Sequence, residues 1–117
     1  MKRVKATREG LVGDKTYSGY VIDRVVPFVA LPSAKAVHRF VRVHNPKTNR
    51  TVFAIVLDVG PWNEHDDDYV FFGARPAAEG GRDTHGRVTN RAGIDLGERV
   101  WTLLGMTDNS DVEWEFL

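Results

Sequence analysis

Apolar positions recur with a period of two in several short runs of this chain, and with a helical period in one. Residues 4–7 predict a short strand. Residues 9–19 hold three glycines together with Asp14, Lys15 and Ser18, and predict a loop or turn. Residues 20–26 are apolar and β-branched and predict a strand, which Pro27 ends or confines to a sheet edge. Residues 40–44 alternate like a half-buried strand, residues 45–50 form a turn cluster, and residues 52–57 are apolar throughout, as in a strand buried on both faces. The last three predict a hairpin.

From 62 to 92 the periodicity lapses. The segment is polar and rich in Gly, Asp and Arg, with only residues 69–72 reading as strand. A loop of this length is uncommon in a compact domain unless it has a job or its own packing. Tyr69, Phe71 and Phe72 predict packing. A helix follows, because Leu96, Val100, Leu103 and Leu104 share one helical face. Asp95 is the expected N-cap, Glu98 completes a capping box, and Gly105 is the expected stop. Val112, Trp114 and Phe116 then share one face of a final strand. The pattern predicts one mainly β domain over 1–117, with an inserted loop at about 62–92.

Composition narrows the function classes. Sixteen Lys and Arg balance sixteen Asp and Glu, which argues against a coat for nucleic acid or an anionic membrane. The 42% of apolar residues is enough for one core. The absence of cysteine excludes disulfides, thiolate zinc sites and cysteine nucleophiles. There is no apolar run long enough to span a bilayer, and the basic start lacks the apolar stretch of a signal peptide. Action outside the cell would then need a removed signal or another export route. The neutral total hides a polarised segment: Glu64 and Asp66 to Asp68 come first, with Arg75, Arg82, Arg87 and Arg91 after. Phosphate-binding loops, dinucleotide fingerprints and nucleophile elbows are absent.

The motifs, in order, are Ala6-Thr7-Arg8-Glu9-Gly10, Thr16-Tyr17-Ser18-Gly19-Tyr20 and Ala30-Leu31-Pro32. Then come Val41-Arg42-Val43-His44-Asn45 with Thr48-Asn49-Arg50, Asp58-Val59-Gly60-Pro61, and Ile94-Asp95-Leu96-Gly97 before Leu104-Gly105. Their order and spacing resemble the RlpA-like, expansin-like group of double-psi β-barrels, in a bacterial variant with Asp58-Val59-Gly60-Pro61-Trp62-Asn63. The resemblance implies a six-stranded double-psi β-barrel with one or two short helices. It also implies a cell-wall polysaccharide, peptidoglycan or a related glycan, as the target of a lytic-transglycosylase-like or expansin-like domain. Relatives in plants and fungi commonly carry disulfides, so their absence fits the bacterial branch. The chain departs from the group where its glutamate and histidine would stand, at Tyr20 and near Phe28. The group's remaining acids correspond to Asp58 and Asp95, placed by the resemblance on one rim.

Asp58 and Asp95 are therefore the candidate catalytic residues. Glycoside cleavage usually needs two carboxyls, whereas a lytic transglycosylase can use one, since the sugar's own hydroxyl attacks. The acid must keep its proton near neutral pH, which burial or a second carboxylate can achieve. The plainer alternatives are an N-cap for Asp95 and a turn-former for Asp58. Trp62, after a Gly-Pro turn, offers a face for a sugar ring, and Tyr17, Tyr20 and Tyr69 can extend it. Asn63 and His65 complete the candidate substrate contacts, while Trp101 and Trp114 are expected in the core. Glu64 to Asp68 lack the spacing of a calcium loop and read as a solvated acidic stretch, so no metal and no cofactor are expected. The expected partner is a polysaccharide met as a monomer, without nucleic acid or membrane insertion, in the periplasm, cell wall or extracellular space. The competing expectation is a non-catalytic carbohydrate-binding or protein-interaction module on the same barrel.

Overall fold

The computed structural model describes residues 1–117. Six strands, β1 (Lys2–Arg8), β2 (Phe28–Leu31), β3 (Phe40–Asn45), β4 (Arg50–Val59), β5 (Ile94–Leu96) and β6 (Ser110–Phe116), close in the order β1-β5-β2-β4-β3-β6. Two short helices, α1 (Asp67–Val70) and α2 (Glu98–Leu103), complete the double-psi β-barrel that the motifs imply. β1 runs parallel to β5, and β2 parallel to β4; the other neighbours are antiparallel. Closure leaves no open sheet edge.

Alternation decides what each strand buries. Val4, Ala6, Val29, Leu31, Val41, Val43, Val52, Ala54, Val56, Ile94, Leu96, Val112 and Trp114 point into one core, with Val100 of α2 and Leu104 just after it capping that core. The hairpin of β3 and β4 forms as expected. β4 is half-buried rather than buried on both faces: Phe53 is 62% exposed between buried Val52 and Ala54. Leu57 joins Ile22 and Phe28 in a small second cluster outside the barrel.

Three expectations shift. The strand expected at 20–26 forms at Phe28–Leu31, beyond Pro27, whose ring fixes the turn into it; Val21 makes only an isolated bridge to Lys15. Residues 67–70 are helical, not extended, so the aromatic run at 69–72 marks a helix end. Asp95 is not an N-cap. Ile94–Leu96 pair as a strand, Gly97 caps α2, and no side chain caps it. Packing explains why the strand prevails. Gly97 lies against the Phe28 ring, where a β-carbon would come within 2.4 Å, and its N–H donates to the Phe28 carbonyl. Glu98 instead takes a two-pronged ion pair from Arg8 at 2.7 Å. The stop at Gly105 is as expected. At φ 67° it lets its N–H reach the Thr102 carbonyl and the Met106 N–H reach that of Trp101.

Candidate functional site

A β-bulge builds the first part of the site. Val56 pairs with Val29, but the next pair is Asp58 with Ala30, so β4 carries one extra residue there. A bulge re-aims the side chains that follow it. By strict alternation Asp58 would follow Val56 into the core. The bulge turns it to the outer face, where Ala30 also points. Ala30 pairs on its other side with Asp95, and Asp95 pairs with Thr7. Thr7, Asp95, Ala30 and Asp58 thus form one row across four strands. Glu9, two residues beyond Thr7, continues the same face, with its N–H on the Leu96 carbonyl.

The expected pair of acids is therefore brought together, and a third carboxyl joins it. Asp58 Oδ1 accepts from the N–H groups of Tyr17 (2.8 Å) and Val59 (2.9 Å). Asp95 Oδ1 accepts from the Thr7 hydroxyl. Glu9 Oε2 is fully shielded, and no N–H or hydroxyl donor reaches it. Burial pushes the Glu9 carboxyl up to about 9, helped by a hydrogen bond to Asp58 and by the charges of Asp58 and Asp95. Glu9 thus holds a proton at neutral pH, with Asp58 as the neighbour that favours it. Burial also raises Asp95, to about 6; the Thr7 hydroxyl opposes this and the Asp58 charge adds to it. None of the cavities is lined by these three residues. Asp58 and Asp95 are half-buried, and the glycine-rich segment before β2 crosses beside them, fastened by the Tyr17 N–H and by the Ser18 N–H on the Leu57 carbonyl. Glu9 was missed because residues 9–19 read as loop. The signal was present in its two-residue spacing from Thr7.

The second part lies beyond the turn after β4. Asp95 Oδ2 and the backbone nitrogen of Trp62 are each 3.9 Å from the point where a Gly60 β-carbon would stand. Trp62 itself has φ 70°, inside a three-residue turn closed by the Asn63 N–H on the Pro61 carbonyl. Its indole N–H donates to Asn90 Oδ1 at 2.8 Å, and the Arg87 guanidinium lies 5.9 Å from its ring. A hollow of about 360 Å³ opens here, lined by Trp62, Glu64, His65, Thr84, His85 and Arg87.

The other candidates fall in different places. His65 lines the hollow, and its backbone bridges to Ser33. Tyr17 is 62% exposed beside Asp58. Asn63 is buried, with Oδ1 accepting from the Thr84 N–H, so it supports the hollow from within. Tyr20 turns away: its hydroxyl donates to Asp23 and its ring packs edge-on against Phe28. Tyr69 is a correction. It sits in the core, its hydroxyl donating to the Gly93 carbonyl and accepting from the Trp114 indole, and it is no part of a surface platform. Trp114 and Trp101 are buried as expected. The acidic stretch is not simply solvated: Asp67 pairs with Lys35 and accepts from Ser33, and Asp66 accepts from the Ala77 N–H.

Residues 1–78 match the family described as Domain of unknown function (DUF8814). Among solved structures the chain is similar to cerato-platanin 3 from M. perniciosa, 11% identical with a TM-score of 0.57 over 99% of this chain and 94% of that one. It is also similar to the Streptomyces papain inhibitor, 18% identical with a TM-score of 0.54 over the same shares of each chain. At these identities the likeness is one of fold. No curated protein matches the chain in sequence.

Proposed function

The chain belongs to the DUF8814 family, and we propose that its barrel is directed at a carbohydrate, bound from the carboxyl row across the Gly60–Pro61 turn to Trp62. The observation that carries this reading is the adjacency of Asp95, Gly60 and Trp62. One short turn joins hydroxyl-binding carboxyls to an aromatic ring and to a polar hollow, which is the composition sugar recognition calls for. Asp58, Asp95, Trp62, Tyr17 and His65 are the contacts this reading assigns to the ligand.

The finer reading is a cell-wall glycan, peptidoglycan or a related polymer, met by a monomer in the periplasm, cell wall or extracellular space. In its catalytic form, Asp95 gives its proton to the leaving glycosidic oxygen. The sugar's own hydroxyl attacks the anomeric carbon and its proton returns to the Asp95 carboxylate. Two observations favour the non-catalytic form instead. Asp58 Oδ1 is held by two backbone N–H groups, and no cavity opens onto the row. The Streptomyces papain inhibitor, named for a protein target, shares the barrel, so a protein-directed role for 62–92 is the competing reading.

Incubation with purified sacculi separates these. The protein is expected to sediment with the sacculi, and loss of sedimentation in Trp62→Ala supports the assigned contacts. Muropeptide release that disappears in Asp58→Asn and Asp95→Asn establishes catalysis, whereas binding without release selects the module. Neither binding nor release of any cell-wall polymer would sink the glycan reading.

A further inference from the structure

We propose that the hollow between residues 62–65 and 84–87 is a subsite for one neutral sugar ring, lying beyond the carboxyl row. This rests on the carbohydrate reading above. The hollow, at about 360 Å³, falls at the small end of ligand sites.

Its walls are held from behind. The Asp83 side chain is fully shielded and accepts from the N–H groups of His85 (2.9 Å) and Arg87 (2.8 Å) and from Arg87 Nε (2.5 Å). Asn63 accepts from the Thr84 N–H at 2.9 Å. Arg87 Nη2 reaches the Trp62 carbonyl at 3.2 Å, tying the two sides together. The backbone on both sides is therefore set before any ligand arrives, which lowers the ordering cost of binding.

The groups facing outward are unused. Among the hydrogen bonds and ion pairs of the protein, none involves the Glu64 carboxylate, the His65 or His85 rings, the Thr84 hydroxyl or Arg87 Nη1. The set mixes acceptors and donors, as ligand hydroxyls require because each both donates and accepts. Charge argues for a neutral ligand. Asp83 already neutralises Arg87, which leaves the unpaired carboxylate of Glu64 to repel an acidic ligand. Trp62, which lines the hollow, supplies an aromatic ring for the apolar face of a sugar. The position fits a polymer: a chain crossing the Gly60–Pro61 turn leaves the carboxyl row and enters this hollow.

The test is titration of the whole chain with cellotetraose, chitotetraose and tetragalacturonate, read by calorimetry and by amide shifts. The expected result is binding of a neutral tetramer that shifts the Thr84 and His85 amides. Affinity should fall about fivefold in Glu64→Gln, where a charge-assisted hydrogen bond becomes a neutral one. His85→Ala should weaken binding as well. Both side chains are exposed and unpartnered, so both variants should melt as the parent does. Binding with unchanged affinity in both variants, and with shifts confined to the carboxyl row, overturns the subsite and leaves the glycan reading intact. Preference for tetragalacturonate overturns the neutral-sugar assignment. No binding of any of the three overturns the subsite, while the glycan reading still stands or falls on the sacculi result.

Discussion

The six strands and the segment from 62 to 92 hold their shapes by different means. The barrel buries Val, Ile, Leu and Trp side chains around one centre and satisfies its backbone in the ladders. The segment sends only a few apolar side chains inward, Tyr69, Val70 and Ala78 among them, and fixes its backbone through side chains. Asn63 holds Thr84, Asp66 holds Ala77, Asp83 holds His85 and Arg87, and Arg91 holds the Glu79 carbonyl. Apolar burial is insensitive to pH and tolerant of exact geometry. A scaffold of carboxylates and amides is neither. The hollow lies in the second kind of structure, where positions are set by hydrogen bonds, and the barrel supplies a rigid base.

The comparison predicts that damage to the joint between the two regions costs most. Trp114 is fully buried, and its indole N–H donates at 2.8 Å to Tyr69 Oη, which in turn holds the Gly93 carbonyl. Trp114→Ala removes a large core side chain and leaves that hydroxyl short of a donor. It should destabilise the protein by about 3–5 kcal/mol, a large fraction of a typical domain's stability. Urea unfolding checks this, and a loss below about 1 kcal/mol would mean that Trp114 packs less tightly than its burial implies.

A smaller effect, with a distinct pH signature, is expected at the carboxyl row. Glu9 binds its proton more tightly in the folded state, at about 9, than its ordinary value of 4.5. Stability therefore falls as pH rises from about 4.5 through 9, and Asp95 adds a fall of the same sign up to about 6. Glu9→Gln keeps a donor toward Asp58 and removes the titration. Variant and parent should match below about pH 4.5, and the variant should be more stable by on the order of 2 kcal/mol at pH 8, after allowance for the part of the carboxyl that solvent reaches. Parallel melting curves across that range would contradict the shielded acid.

How much was legible in the sequence follows the same division. The hairpin and the final strand follow from alternation, because apolar burial writes a period into the chain, the Gly105 stop follows from glycine's freedom, and the barrel was implied by the resemblance. That Asp58 and Asp95 share one rim was legible as well, from the resemblance. The bulge that turns Asp58 outward was not, since an extra residue leaves no mark in the apolar run 52–57. Nor was the strand at Ile94–Leu96. Leu96 fits the helical period and Asp95 reads as its cap, and only the contact of Gly97 with Phe28, distant in sequence, decides for the strand. Tyr69 was misplaced because an aromatic in a polar stretch reads alike whether it faces a ligand or the core. The hollow could not be seen, because Trp62 and His85 are joined through Asp83 and Asn63, and hydrogen bonds of that kind carry no periodicity.

The smallest expected effect on the barrel, and the sharpest separation of the two regions, comes from Asp83→Asn. Burial pushes the Asp83 carboxyl up, but the Arg87 and His85 N–H groups and the Arg87 guanidinium outweigh it and hold it below its ordinary value of 3.8. A depressed carboxyl stabilises above its unfolded value, and that stability is lost as pH falls through the folded one. This is the opposite sign to Glu9. The amide copies the protonated acid: it can still accept from the two backbone N–H groups, but it loses the ion pair with Arg87. Hydrogen exchange at pH 7 should then quicken at the amides of 83–90 in the variant, while those of β3 and β4 stay protected. The parent should show the same local loosening only well below pH 3.8. Equal quickening in the strands would mean that the segment and the barrel open as one unit, and the division drawn between them would fall.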